Sequence, residues 1–222
     1  MKRLLSAALI LLVMAGVTRA EKPGEWIDLL AKDSMSAWRP YDAQGSLRNW
    51  HLKDGVLHLS EKSGDLITRQ QFEDFELRLE WKIKAEGNSG VLYRVRTGDK
   101  KPWHSGPEYQ IIDNALLKGD KKTSQATGAL YDLVSPAKSK LNPPGEWNSS
   151  RIKWQKNVIE HWLNGTRVVS IDATKDEWKA LVADSKFAKH NQFAAGSKGH
   201  ICLQDHRHET WFRKIRIRRL GD

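Results

Sequence analysis

Phe75-Glu76-Leu77-Arg78-Leu79-Glu80-Trp81-Lys82-Ile83 alternates apolar and charged residues without a break. Successive side chains of a strand point to opposite faces. Phe75, Leu77, Leu79, Trp81 and Ile83 therefore line one face, and the charged members line the other. One face for a core and one for water is the signature of a half-buried antiparallel strand rather than a helix.

The same period recurs on both sides of this stretch. Trp50-His51-Leu52-Lys53-Asp54-Gly55-Val56-Leu57-His58-Leu59 carries a tight-turn Asp-Gly between alternating segments, and Asn164-Gly165 joins 158–163 to 166–171 in the same way. Further short strands are expected at 25–30, 65–68, 91–96, 106–114, 128–134, 147–154, 201–206 and 211–220, with 33–45 a loop and Gly87-Asn88-Ser89-Gly90 a turn. Only 174–191 has helical spacing, through Trp178, Leu181, Val182 and Phe187. Many short alternating strands with one helical insert predict an all-β sandwich.

Length and composition agree. Met1-Lys2-Arg3, an apolar run and Thr18-Arg19-Ala20 read as a secretory signal peptide over residues 1–20, too short for a membrane span. The expectation is a single exported domain over 21–222, periplasmic or secreted, with no stable membrane insertion after cleavage. The one cysteine, Cys202, permits no internal disulfide. Removing the leader takes Lys2, Arg3 and Arg19 and leaves a net charge of +7. Those basic residues are dispersed apart from 118–122 and the alternating strand 213–219, so no nucleic-acid partner is expected. Ten tryptophans are many for such a domain. Most are expected as core or sheet cover, with Trp103 and Trp147, beside polar turns, as candidate stacking surfaces for sugar rings.

Gly106-Pro107-Glu108-Tyr109-Gln110-Ile111-Ile112-Asp113-Asn114 puts Glu108 and Gln110 on one face of a central strand. A carboxyl and an amide there are costly unless they are solvated or paired, which points to a wet ligand-bearing face. Alternation sends Glu80, Lys82, Arg94, Arg96, Arg151, Lys153, Gln204 and His206 away from the core as well. If their strands lie side by side in one sheet, they form a hydrogen-bonding floor for a polyhydroxylated ligand. His206, ending Leu203-Gln204-Asp205-His206, titrates near neutral pH and would make an acid/base pair beside Glu108. Sequence alone displays neither a structural zinc set nor a carboxylate pair at the roughly 5 Å spacing of retaining glycosidases.

Gly87-Asn88-Ser89-Gly90-Val91 with Arg94, Gly106-Pro107-Glu108-Tyr109-Gln110 with Asp113-Asn114, Gly128-Ala129-Leu130-Tyr131-Asp132, Trp147-Asn148 with Arg151, His161-Trp162-Leu163-Asn164-Gly165, and Gly199-His200-Ile201 with Leu203-Gln204-Asp205-His206 and Phe212-Arg213 together resemble the 3-keto-disaccharide hydrolase domain family over the whole mature chain. Arg207 and Lys214 depart from its pattern. The resemblance implies a concanavalin A-like jelly-roll sandwich acting on 3-keto-glycosides, and a functional link to an oxidoreductase that makes 3-keto sugars. A C3 ketone acidifies the hydrogen on C2, so a base can form an enolate and the C1 substituent leaves by β-elimination before water adds. Glu108, His206 and Tyr131 are the catalytic candidates: His206 or Glu108 as base, Tyr131 or Glu108 as acid. Arg94 with Gln110 or Gln204 would meet the keto oxygen. Arg94, Gln110, Gln204, Asp205, Asn88, Arg151, Trp103 and Trp147 form the candidate substrate-binding set. No cofactor is required, although a divalent metal ion could replace the arginine as electrophile. The alternatives are a sandwich that binds glycans without cleaving them and an ordinary glycoside hydrolase.

Overall fold

The structure, a computed structural model, describes residues 24–119 and 123–221. The expected signal peptide and part of the 118–122 basic loop lie outside them. The strands in chain order are β1 (Trp26–Asp28), β2 (Trp38–Pro40), β3 (Trp50–Lys53), β4 (Val56–Leu59), β5 (Leu66–Thr68), β6 (Phe75–Ile83), β7 (Asn88–Val95), β8 (Glu108–Ile112), β9 (Asn148–Gln155), β10 (Val158–Leu163), β11 (Thr166–Asp172), β12 (His200–Leu203) and β13 (Thr210–Arg219). They form a jelly-roll sandwich of two antiparallel sheets. The larger has eight strands in the order β11-β10-β9-β6-β13-β4-β3 with β1 on β13, and the smaller has five in the order β2-β5-β12-β7-β8.

The alternating stretch is the middle of the larger sheet, between β9 and β13. Its Phe75, Leu77, Leu79, Trp81 and Ile83 are buried against Val91, Tyr93, Tyr109, Ile111, Ile201 and Leu203 of the smaller sheet. Five of the ten tryptophans (Trp38, Trp50, Trp81, Trp154, Trp178) are buried in this core. Full burial of one such side chain contributes about 2–3 kcal/mol. His161 sits wholly inside. It bonds the Tyr93 hydroxyl at 2.9 Å and the Gly128 carbonyl at 3.0 Å, and burial pushes its pKa down to about 4, so it is a neutral core histidine. No described helix is long and apolar enough to cross a membrane.

Four local expectations are corrected. The 33–45 loop contains β2, an edge strand whose last residue is a proline, a position that tolerates the missing N–H. Asn88-Ser89-Gly90 is not a turn but the first half of β7. Residues 128–134 make a tight turn touching β8 through a single Tyr109–Leu130 bridge, not a strand. The helix is only α1 (Asp176–Ala183), with Asp176 and Glu177 favourably placed at its N-terminal dipole. The chain then breaks, and Ser185 caps a separate 3-10 turn over Lys186–Lys189 by accepting from the Phe187 N–H at 3.1 Å.

The single polar sheet is also corrected. Glu80, Lys82, Arg151 and Lys153 lie on the outer face of the larger sheet, whereas Glu108, Gln110 and Gln204 lie on the outer face of the smaller one. Alternation assigns a face but not a sheet, and the two outer faces look in opposite directions across the sandwich.

Candidate functional site

The outer face of the smaller sheet can be built from its register. Leu203 pairs with both Leu66 and Val91, and Gly90 pairs with Gln110. Asp65, Gln204, Gly90 and Gln110 therefore form one row across four strands. The next row holds Ile67, Cys202, Leu92 and Glu108. Gly90 leaves a gap that the Glu108 side chain fills. A Cβ built at Gly90 would lie 2.2 Å from Glu108 Oε1, so only glycine permits this placement. The Gln204 N–H donates to the Gly90 carbonyl at 2.9 Å, which locks that residue's backbone beside the carboxyl.

Glu108 is 6% exposed, and its pKa is pushed up to about 8. Burial is the main cause. Lys186 opposes it, Asp65 adds to it, and a hydrogen bond from the Gln204 amide opposes it. The carboxyl is thus predominantly protonated at pH 7. Asp65, in the same row as Gln204, is raised to about 6, again by burial, against the Asp205 N–H that donates to Asp65 Oδ1 at 2.9 Å. Two carboxyls on one face are therefore poised on either side of neutrality, the separation that assigns a base and an acid. Their strands, β5 and β8, stand three positions apart in the sheet, and the Glu108 side chain reaches back over Gly90 of β7 towards Asp65.

A wall closes the β8 edge. The Lys186 ammonium lies 4.3 Å from the Tyr131 ring centroid and 4.9 Å from that of Trp103. Burial lowers the Lys186 pKa, and Glu108 and Asp132 hold it up. Tyr131 is pushed up to about 12 by burial and then by Glu108 and Asp132, so its hydroxyl keeps its proton. Asn88 Oδ1 and Gln204 Oε1 are buried acceptors with no hydrogen-bond partner among the described residues. Such orphans are expensive without a donor, and both lie on the Glu108 face.

The sequence-predicted residues divide sharply. Glu108, Gln110, Gln204, Asn88, Tyr131 and Trp103 come together here. Gln110 is buried and its Oε1 accepts from the Ile111 N–H at 3.1 Å. Arg94 does not join them. A β-bulge between β7 and β12 puts it at φ 52° and turns its guanidinium towards Trp154, 3.9 Å from the ring centroid, where it donates to the Glu73 and Gly196 carbonyls. Arg151 and Trp147 lie on the opposite outer face, with Arg151 pairing Glu76 at 2.8 Å and Trp147 under Arg213. β12 ends at Leu203, so His206 stands on an exposed loop, its ring stacked on His208 at 5.7 Å. Burial and then His208 keep it below the usual histidine pKa, and it is not among the groups that act on Glu108. Asp205 is a latch rather than a ligand contact: Oδ2 accepts from Ser63 and Gly64 N–H at 2.7 and 2.6 Å, and Oδ1 from Arg207 N–H at 2.8 Å. Among the described residues, no three His, Cys, Asp or Glu side chains are grouped to hold a metal ion.

Sequence reasoning missed Asp65 and Lys186. Asp65 precedes a three-residue strand. Lys186 follows a helix break, where periodicity carries no information about direction.

Known proteins share this architecture. A protein of Bacteroides thetaiotaomicron named 3-keto-disaccharide hydrolase is 29% identical over 225 residues, 87% of this chain and 78% of that protein. A crystal structure from Parabacteroides distasonis, provisionally described as a glycosyl hydrolase, superposes with a TM-score of 0.80 at 30% identity, covering 88% of this chain and 94% of that one. A non-specific endo-beta-1,3(4)-glucanase, with a TM-score of 0.52 at 11% identity over 88% of this chain and 90% of its own, has the same fold and supports nothing further. The profile of the 3-keto-alpha-glucoside-1,2-lyase-like domain matches residues 25–218, and this chain belongs to that family.

Proposed function

We propose that the protein is a carbohydrate hydrolase that cleaves 3-keto-glycosides on the outer face of the smaller sheet. The observation that carries this reading is the Glu108 carboxyl, protonated near neutral pH, buried over Gly90 and flanked by Asp65, Gln204 and Lys186. The family and the name of the Bacteroides relative supply the substrate class.

Asp65, ionised at pH 7, is the proposed base for the C2 hydrogen. Lys186 stabilises the charge that develops on the C3 oxygen as the enolate forms. The C1–O bond then breaks, its electron pair goes to the leaving oxygen, and Glu108 delivers the proton there. Water adds at C1, a proton returns to C2, and the net reaction is hydrolysis. Asn88 Oδ1 and Gln204 Oε1 accept from sugar hydroxyls, and Trp103 with Tyr131 supplies an apolar wall for a ring face. A ketone at C3 must be installed first, so a sugar-oxidising enzyme supplies the substrate. The leader-like 1–20 segment supports an exported site of action.

The Asp65–Glu108 pair also favours a second reading, direct hydrolysis of an unoxidised glycoside by acid and base. That reading casts Glu108 as the acid and Asp65 as the base that activates a water, the division of roles in an inverting pair. One experiment separates them: turnover of a 3-keto-disaccharide carrying deuterium at C2, followed across pH. The enolate route predicts slowed turnover or loss of the label to solvent, with activity rising through about pH 6 and falling through about pH 8. Retained label with no rate effect would overturn it in favour of direct hydrolysis.

A further inference from the structure

The five tryptophans outside the core are not evenly spread. Trp103 walls the Glu108 face, and Trp26, Trp147, Trp162 and Trp211 all stand on the outer face of the larger sheet, each beneath an Arg or Lys. On the central strands β9, β6 and β13 that face carries eight Lys and Arg side chains against two carboxylates, Glu76 and Glu80.

The register makes the arrangement sharper. Arg78 pairs directly with Arg151 on one side and with Arg216 on the other. Three arginines therefore lie abreast across three hydrogen-bonded strands, where like charges destabilise a sheet. Glu76, in the neighbouring row, pairs with Arg78, Arg151 and Arg218, and Glu80 pairs with Arg213 and Lys214. Both carboxylates are outnumbered. Among the described residues no carboxylate pairs with Arg216. A β-bulge after Arg213, with Lys214 at φ 51°, adds an extra cation to the face instead of returning it to alternation. A local conflict kept in the middle of the larger sheet calls for a compensating partner.

The same row floors a cavity of about 350 Å³, lined by Arg78, Arg151, Arg216 and Trp162 with Glu80 and Ser149. A second cavity of about 400 Å³ shares Glu80 and Ser149 with it and adds Asn148 and Asn164. Guanidinium groups stacked on indoles keep their in-plane N–H donors for a carboxylate or sulfate. Glu80 and Ser149 line both cavities and offer polar groups to hydroxyls, which a phosphodiester backbone lacks and a sugar has, while Asn148 and Asn164 bond to each other at 2.7 Å and hold the floor in place.

We infer that the outer face of the larger sheet is a second glycan-binding groove, specific for an acidic saccharide bearing carboxylate or sulfate groups, and separate from the Glu108 face. It holds the protein on an acidic polysaccharide while the opposite face works.

The test is calorimetric titration of the intact protein at 50 mM salt with four probes: oligogalacturonate, a sulfated dextran oligosaccharide, neutral dextran of equal length and a short DNA duplex. At least one acidic glycan should bind and neutral dextran should not, and the two acidic arms tell carboxylate from sulfate recognition. Arg216→Gln should weaken that binding about tenfold while the unfolding temperature holds or rises, because it removes one of three like charges abreast. Glu108→Gln should leave it untouched. Binding of neither acidic glycan, duplex DNA binding as tightly as the glycan, or an Arg216→Gln variant of wild-type affinity would each overturn the inference.

Discussion

Glu108→Gln is expected to lower turnover of a 3-keto-disaccharide about 100-fold or more, and to make the protein more stable at pH 8. The first effect follows because the amide occupies the same space over Gly90 but has no proton to give the leaving oxygen. The second follows from linkage. The folded pKa of Glu108 is raised from 4.5 to about 8. Between these values the unfolded chain releases this proton and the native protein retains it, so wild-type stability declines as pH rises from about 4.5 to about 8 and is level above that. Each pKa unit corresponds to about 1.4 kcal/mol, and an uncharged side chain removes the decline. Allowing for relaxation around a buried group, we expect the variant to gain roughly 2 kcal/mol over wild type at pH 8 and almost nothing at pH 4.5. In thermal unfolding that is about 4–8 °C for a domain of this size. A variant that loses activity and stability together at every pH would show Glu108 to be structural.

Gly199→Ala should be among the most damaging small substitutions in the chain. A Cβ at Gly199 would sit 2.2 Å from the Arg94 carbonyl carbon and 2.5 Å from its oxygen, atoms of the backbone that no rotamer change can clear. The Arg94 bulge is fixed from several sides. Its guanidinium donates to Glu73 and Gly196 carbonyls and meets Asp74 at 3.3 Å, and the paired Phe72–Gly199 backbone closes the other side. Overpacking at so constrained a point is expected to destabilise by about 3 kcal/mol, or roughly 6–12 °C in unfolding temperature. A shift below about 1 °C would mean that Gly199 and Arg94 do not pack as described.

That bulge also shows where sequence reading stops. Period-two alternation identified β6, both hairpins and the ends of β9 and β13, because a strand buried on one face must alternate. It failed at two bulge residues, Arg94 and Lys214, the second of which moves Arg213 off the face that alternation gives it with Ile215 and Ile217: a bulge inserts a residue and reverses parity across it. Both residues have positive φ, and neither is a glycine or asparagine that would mark such a site in a sequence. Alternation is also silent about which sheet a strand joins. Arg151 and Trp147 were therefore grouped with Glu108, although the thickness of the sandwich lies between them. The Glu108, Gln110 and Gln204 cluster was legible, since polar side chains at those positions on buried strands have no packing explanation. Asp65 and Lys186 were not, because they enter the site from chain segments with no period to read.

If the Glu108 face breaks a glycosidic bond activated by a neighbouring ketone, the ketone must decide the rate. The most direct measurement is product release by the purified protein from a 3-keto-disaccharide and, in parallel, from its unoxidised parent. The keto sugar should be cleaved at least about 100-fold faster than the parent. Equal cleavage of the two, or tight binding of both without cleavage of either, would contradict it.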